Sequence, residues 1–136
     1  MVKEIMRDPF FLAQKSVPAT KDDLQVGRDL MDTLKAHREG CVGMAANMIG
    51  VKKNIIIVNM GLVDVVMFNP VITSKSGPYQ TEEGCLSLVG VRKTTRYQDI
   101  EVEYYDFAWK KQRQKLSGWT AQIAQHEIDH CNGIVI

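Results

Sequence analysis

The sequence predicts an α+β fold in one domain spanning residues 1–136, and three observations carry that prediction. A helical periodicity near the N-terminus, β-branched runs through the middle and a second helical stripe at the C-terminus follow one another along the chain, the order expected when helices are segregated from a strand-rich centre. The chain has 136 residues, 45% hydrophobic and 24% charged, which suits one compact core without disulfide staples. No internal repeat, linker or low-complexity stretch interrupts it.

The elements follow in order. After a lead-in ending at Pro18, Thr20 and Asp23 stand three residues apart, a capping-box-like helix start in which Asp replaces the usual Glu or Gln. Leu24, Gly27, Leu30, Met31 and Leu34 then recur at three- and four-residue intervals, predicting a helix over residues 21–38 with one buried face. Gly40 is its stop signal. Strands are expected at Ile55-Ile56-Ile57-Val58 and Val65-Val66-Met67-Phe68, where β-branched residues alternate with Asn, Gly and Asp turns. A third is expected at residues 100–104, where apolar and acidic residues alternate. Residues 109–115 carry four cations just after that strand and read as a solvated hairpin. Helix returns from Gly118 to about Asn132, with Trp119, Ile123, His126 and His130 along one stripe and Gly133 as terminator.

Composition removes several classes of function. The formal charge is +1, too small to drive binding to nucleic acid or an acidic membrane, so no sequence-specific nucleic-acid partner is expected. The longest mostly apolar stretch, residues 55–68, is interrupted by Asn59, Gly61 and Asp64 and falls short of the roughly 20 residues that cross a bilayer. The N-terminal apolar cluster, residues 10–13, is too brief for a signal peptide. A cytoplasmic location is therefore expected. Three cysteines, Cys41, Cys85 and Cys131, are an odd number and argue against a disulfide framework.

The strongest chemical signal is His126-Glu127-Ile128-Asp129-His130. Two His four residues apart on a helix aim at one point and can share one divalent metal. Glu127 can reach water at the metal's open position and act as general base. A catalytic metal needs a third protein ligand. Only six residues follow His130, so that ligand is sought upstream. Cys131 projects about 100° around the helix from His130 and reads as core. Cys85, in Glu83-Gly84-Cys85-Leu86-Ser87, is the better candidate, because a neighbouring Gly lets backbone approach an ion and a thiolate suits a borderline metal. A buried free cysteine is the alternative at that position.

These two segments together resemble the peptide deformylases, which carry Glu-Gly-Cys-Leu-Ser and, later, Gln-His-Glu-x-Asp-His. The second stands here as Gln125 to His130, 41 positions from Cys85 to His126. A third family motif, Gly-x-Gly-apolar-Ala-Ala-x-Gln, is similar to Cys41-Val42-Gly43-Met44-Ala45-Ala46-Asn47-Met48, which departs from it at both ends. The resemblance implies antiparallel β-sheets around a central C-terminal helix that carries the His-Glu-x-x-His motif. It further implies one divalent metal per chain, Fe2+ first and Ni2+, Co2+ or Zn2+ as replacements, held by Cys85, His126 and His130. Glu127 would be the general base for hydrolysis of N-formylmethionyl peptides to formate and a free amine. The substrates would be formylated nascent peptides, met during transient ribosome contact. The developing oxyanion would be held by the metal, the backbone N–H of Leu86 and the side-chain amide of the motif's Gln.

That last position is Met48. A thioether cannot donate a hydrogen bond, and loss of one oxyanion donor typically costs on the order of 10²–10³ in turnover. A catalytically impaired metal- and peptide-binding relative is therefore the rival expectation. Substitution by Asn47, a water in the gap, or an impaired site are the three outcomes open. Cys41 either packs or crowds the entrance. Trp119 and Ile123, two turns and one turn before His126, are expected to line a methionine pocket or to be ordinary core. Val42 and Gly43 resemble the family's other substrate contacts, with backbone groups at Gly43 able to pair an extended peptide.

Overall fold

The lead-in contains one short helix, α1 (Pro9–Leu12), whose first turn is capped by the Asp8 carboxylate accepting from the Phe10 N–H. The computed structural model describes residues 1–85 and 88–134. The capping box forms: Thr20 N–H donates to Asp23 Oδ2 at 2.8 Å, and Asp22 N–H to Thr20 Oγ1 at 3.2 Å. It opens a 3₁₀ turn, Lys21–Asp23, followed by α2 (Leu24–Ala36). The helix thus ends short of Arg38, where His37 N–H bonds back only to the Leu34 carbonyl. Gly27, Leu30 and Leu34 lie on its buried face. Any side chain at Gly27 would place its first carbon 2.7 Å from the Phe68 ring, so glycine is what lets α2 lie close on the strands.

Five strands pair antiparallel in sequence order: β1 (Gly43–Ala45), β2 (Ile55–Asn59), β3 (Asp64–Cys85), β4 (Leu88–Tyr105) and β5 (Lys111–Ser117). The three runs expected from sequence are all strand. β2 is buried along residues 55–58, with α2 and the C-terminal helix α3 (Gly118–Cys131) both packed against it, which is why it is a continuous apolar run rather than an alternating one.

The difference from expectation is one of extent. β3 has 22 residues and β4 has 18, and they stay paired from Phe68 with Tyr105 to Cys85 with Leu88, through register shifts at residues 68–71, 72–74 and 84–85. Such irregularities bend a strand. One continuous five-stranded ladder therefore does what separate sheets would, with β1, β2 and β4 all contacting α3. The hairpin is fastened to the helix by a reciprocal pair: Tyr97 N–H donates to Gln125 Oε1 and Gln125 Nε2 to the Tyr97 carbonyl, each at 2.8 Å.

The cationic run is a hairpin as expected. Asp106 accepts from the Ala108 and Lys110 N–H groups, and Lys111 and Arg113 on β5 pair with Glu103 on β4. Gly133, at φ 74°, ends α3, and Ile134 N–H returns to the Asp129 carbonyl at 2.9 Å. Among the described residues no helix is long and apolar enough to cross a membrane.

Candidate active site

Helical spacing puts His126 and His130 on one side of α3, their ring centroids 5.0 Å apart. The end of β3 brings Cys85 to them, its Sγ 3.2 Å from His130 Nε2. The thiol sulfur and one nitrogen of each ring all lie within 4.8 Å of one another, close enough that a small shift of the side chains would bring all three to bonds of about 2.0–2.3 Å with one ion. Cys131, as expected, is buried core.

Orientation of the His126 ring comes from Glu83, which sequence reasoning did not single out. Its Oε1 accepts from His126 Nδ1–H at 2.8 Å, leaving Nε2 for the ligand position. Arg96 binds the same carboxylate in a bidentate grip, Nη2 to Oε1 at 2.7 Å and Nε to Oε2 at 3.0 Å, and reaches Asp129 Oδ2 with Nη1 at 2.6 Å. The signal was present: Glu83 stands two residues before Cys85, so on a strand both side chains face the same way. Asp129 is thereby an ion-pair partner of Arg96.

Burial alone would raise the Glu83 carboxyl, but hydrogen bonds from His126 and Arg96 hold it down at about 2. His126 is likewise pushed down by burial, yet its bonds to Cys85 and Glu83 carry it up to about 10. Burial and the neighbouring positive charge of His126 lower His130 to about 3. Three titrating groups packed this closely are driven apart, as at sites built for a cation or for proton transfer.

Glu127 is buried, and desolvation, with the Glu83 charge adding, raises its carboxyl to about 7. Its Oε1 has no hydrogen-bond partner among the described residues. The carboxylate sits against β1: a carbon added at Gly43 would lie 3.0 Å from Glu127 Oε2 and 2.6 Å from Ile123 Cγ2. Gly43 is thus the position that lets the edge strand approach the helix. One thiol, two imidazoles and an unpartnered buried carboxylate oxygen fit a borderline divalent metal with an open position beside it.

A cleft of about 220 Å³ opens onto these groups, its walls including Val42, Gly43, Met48, Trp119, Ile123 and Glu127. Ile123 is buried, whereas Trp119 is 62% exposed and Val42 37%, so the helical stripe leaves the core at its N-terminal end. Leu86 lies outside the described residues.

The sequence model of the polypeptide deformylases matches residues 2–136. The chain belongs to the peptide deformylase family. It is 57% identical over 136 residues to a peptide deformylase of Clostridium beijerinckii, covering 100% of both chains, and 42% identical over 122 residues to one of Pelotomaculum thermopropionicum, covering 89% of this chain and 78% of that one. Among solved structures, a peptide deformylase of Legionella pneumophila superposes with a TM-score of 0.88 at 32% identity, over 98% of this chain and 82% of that one. The deformylase of Thermotoga maritima gives 0.88 at 26% identity, over 99% and 95%. Deformylases are metal-dependent hydrolases that act on formylated nascent peptides.

The segment following β1 carries Met48 and Asn47. Residues 46–49 form a 3₁₀ turn rather than an extended strand. Met48 is buried there, and its Sδ accepts from the Ala45 N–H at 3.4 Å. Asn47 does not take over as a donor to the cleft: it is fully buried and gives its side-chain N–H to the His130 carbonyl at 2.8 Å. Cys41 lines the cleft, with its thiol donating to the Gly43 carbonyl and raised to about 11 by burial.

Proposed function

We propose that residues 1–136 act as one deformylase domain that hydrolyses the N-formyl group of N-formylmethionyl peptides, releasing formate. The observation that supports it best is the cluster of Cys85, His126 and His130 beside a buried, unpartnered Glu127 oxygen at the wall of an open cleft, in a chain of this family. Cys85, His126 and His130 would hold the metal, with ferrous iron as the native ion and Ni2+, Co2+ or Zn2+ able to replace it. A divalent ion there supplies a Lewis acid that polarises the formyl oxygen and acidifies water.

The chain's own residues do the rest. Glu127, buried and close to neutrality in its proton affinity, takes a proton from the attacking water as its oxygen bonds to the formyl carbon. The C–N bond breaks, and the same proton passes from Glu127 to the leaving nitrogen. Formate and a free amino terminus result. The N–H of Leu86 would donate to the developing oxyanion, with no amide from position 48 to assist. Ile123 and Trp119 would receive the methionine side chain. Gly43, on the edge strand β1, and Val42 just before it would pair the peptide backbone. Such substrates emerge from the ribosome, so we further propose a cytoplasmic protein in transient ribosome contact.

The deciding experiment is anaerobic release of formate from a formyl-Met-Ala peptide by protein loaded with ferrous iron or nickel. Turnover that disappears in Glu127→Ala supports the reading. Metal-replete protein without turnover, recovering it on Met48→Gln, would instead identify a peptide-binding relative with an impaired site.

A further inference from the structure

Tyr79 on β3 and Gln122 on α3 have no part in the roles assigned above, yet they meet at the seam between hairpin and helix. The Tyr79 hydroxyl donates to Gln122 Oε1 at 3.1 Å, and Gln122 Nε2 donates to Glu83 Oε2 at 2.8 Å. Glu83 Oε1 accepts from His126 Nδ1–H at 2.8 Å. The chain of contacts therefore ends on the ring that offers its other nitrogen to the metal. We propose that Gln122, oriented by Tyr79, is a positioning residue that fixes Glu83 and, through it, the tautomer and aim of His126.

A primary amide has donors at one end and an acceptor at the other. Facing Glu83 with its nitrogen, Gln122 binds the carboxylate; turned over, it would set oxygen against oxygen. The Tyr79 hydroxyl, donating to the amide oxygen, selects the first arrangement. Arg96 cannot substitute for this restraint. It grips Glu83 from β4 and, among the described residues, makes its hydrogen bond to α3 at Asp129, whereas Gln122 holds the carboxylate from one turn before His126. Gln122, His126 and Asp129 are spaced i, i+4 and i+7 and so share one helix face. Glu83 is bracketed along that face from both directions, with the ring between the brackets.

The inference rests on the metal-ligand reading above, and cobalt serves as the probe because its visible absorption reports ligand geometry. Gln122→Met keeps the length of the side chain and removes its donor; Tyr79→Phe removes one hydroxyl at a half-exposed site and should leave folding intact. Expected are a Co2+ dissociation constant about 10-fold weaker for Gln122→Met, at the lower end of losses for groups that orient ligands, about 3-fold weaker for Tyr79→Phe, and altered absorption bands in both. The double variant should be no weaker than Gln122→Met alone, since both changes cut the same strut. With iron or nickel and formyl-Met-Ala, kcat should fall while KM holds. If the unvaried chain binds cobalt, Cys85→Ala loses it, and Gln122→Met binds with unchanged affinity and spectrum, the strut is refuted and the metal site stands. A raised KM with unchanged kcat would also refute it, making Gln122 only a wall of the cleft. Failure of the unvaried chain to bind cobalt would sink both readings.

Discussion

Glu127 and Met48 face the same cleft and set opposite limits on the chemistry. Glu127→Ala should lower turnover by on the order of 10²–10⁴ while Co2+ binding, measured by titration, is retained, because the proposed ligands are Cys85, His126 and His130. Met48→Gln should raise kcat by on the order of 10²–10³ if the new amide reaches the oxyanion; steady-state formate release at saturating peptide tests this. The pH profile of kcat/KM should fall on the acid side as Glu127 takes up a proton. The buried carboxyl titrates at about 7 in the metal-free chain, and a cation beside it favours the charged form, so the midpoint of the acid limb is expected below 7. A profile flat from pH 8 to pH 5 would remove Glu127 from the role of base. At this scale the paired histidines and the neighbouring Glu127 were legible in sequence because helical spacing brings both rings to one side of α3, whereas Cys85, on β3, was suggested by its motif. Glu83, Arg96 and the Tyr79–Gln122 contact were not, since they depend on how a hairpin lies across a helix.

At the scale of elements, β1 and α3 meet through Gly43. Gly43→Ala places a carbon against both Ile123 and Glu127, so it should destabilise the fold by about 1–3 kcal/mol and depress kcat through displacement of the base; denaturant unfolding with turnover at matched metal loading separates the two effects. The sequence revealed both main helices and the buried half of the sheet. Residues 55–58 and 65–68 announce themselves by apolar β-branched runs. The outer half of β3 did not, because residues 73–80 are mostly polar and, apart from the half-buried Tyr79, exposed on both faces; without a buried side there is no alternation to read. The register shifts that turn this outer half toward α3 leave no compositional trace.

For the molecule as a whole, acid should be more damaging than sequence charge suggests. Glu83 lies at about 2 when folded against an ordinary value of 4.5. A depressed carboxyl contributes its stability above the ordinary value, and that contribution drains away as pH falls from about 4.5 toward 2. The shift corresponds to on the order of 3 kcal/mol. Denaturation of metal-free protein at pH 6 and pH 3 should show this loss, and Glu83→Gln should be less stable at pH 6 with a shallower dependence on acid.

The hairpin that carries Cys85 ends at the helix that carries the two histidines. The proposed ligands are contiguous only in space, and the backbone between them must travel out along β4, around the 106–110 turn and back along β5 before α3 begins. Closing a loop of this length comes at an entropic cost before any ligand contact rewards it. Cation capture should therefore be among the last events of refolding: tryptophan fluorescence should recover first, and the colour of cobalt bound to thiolate should follow it.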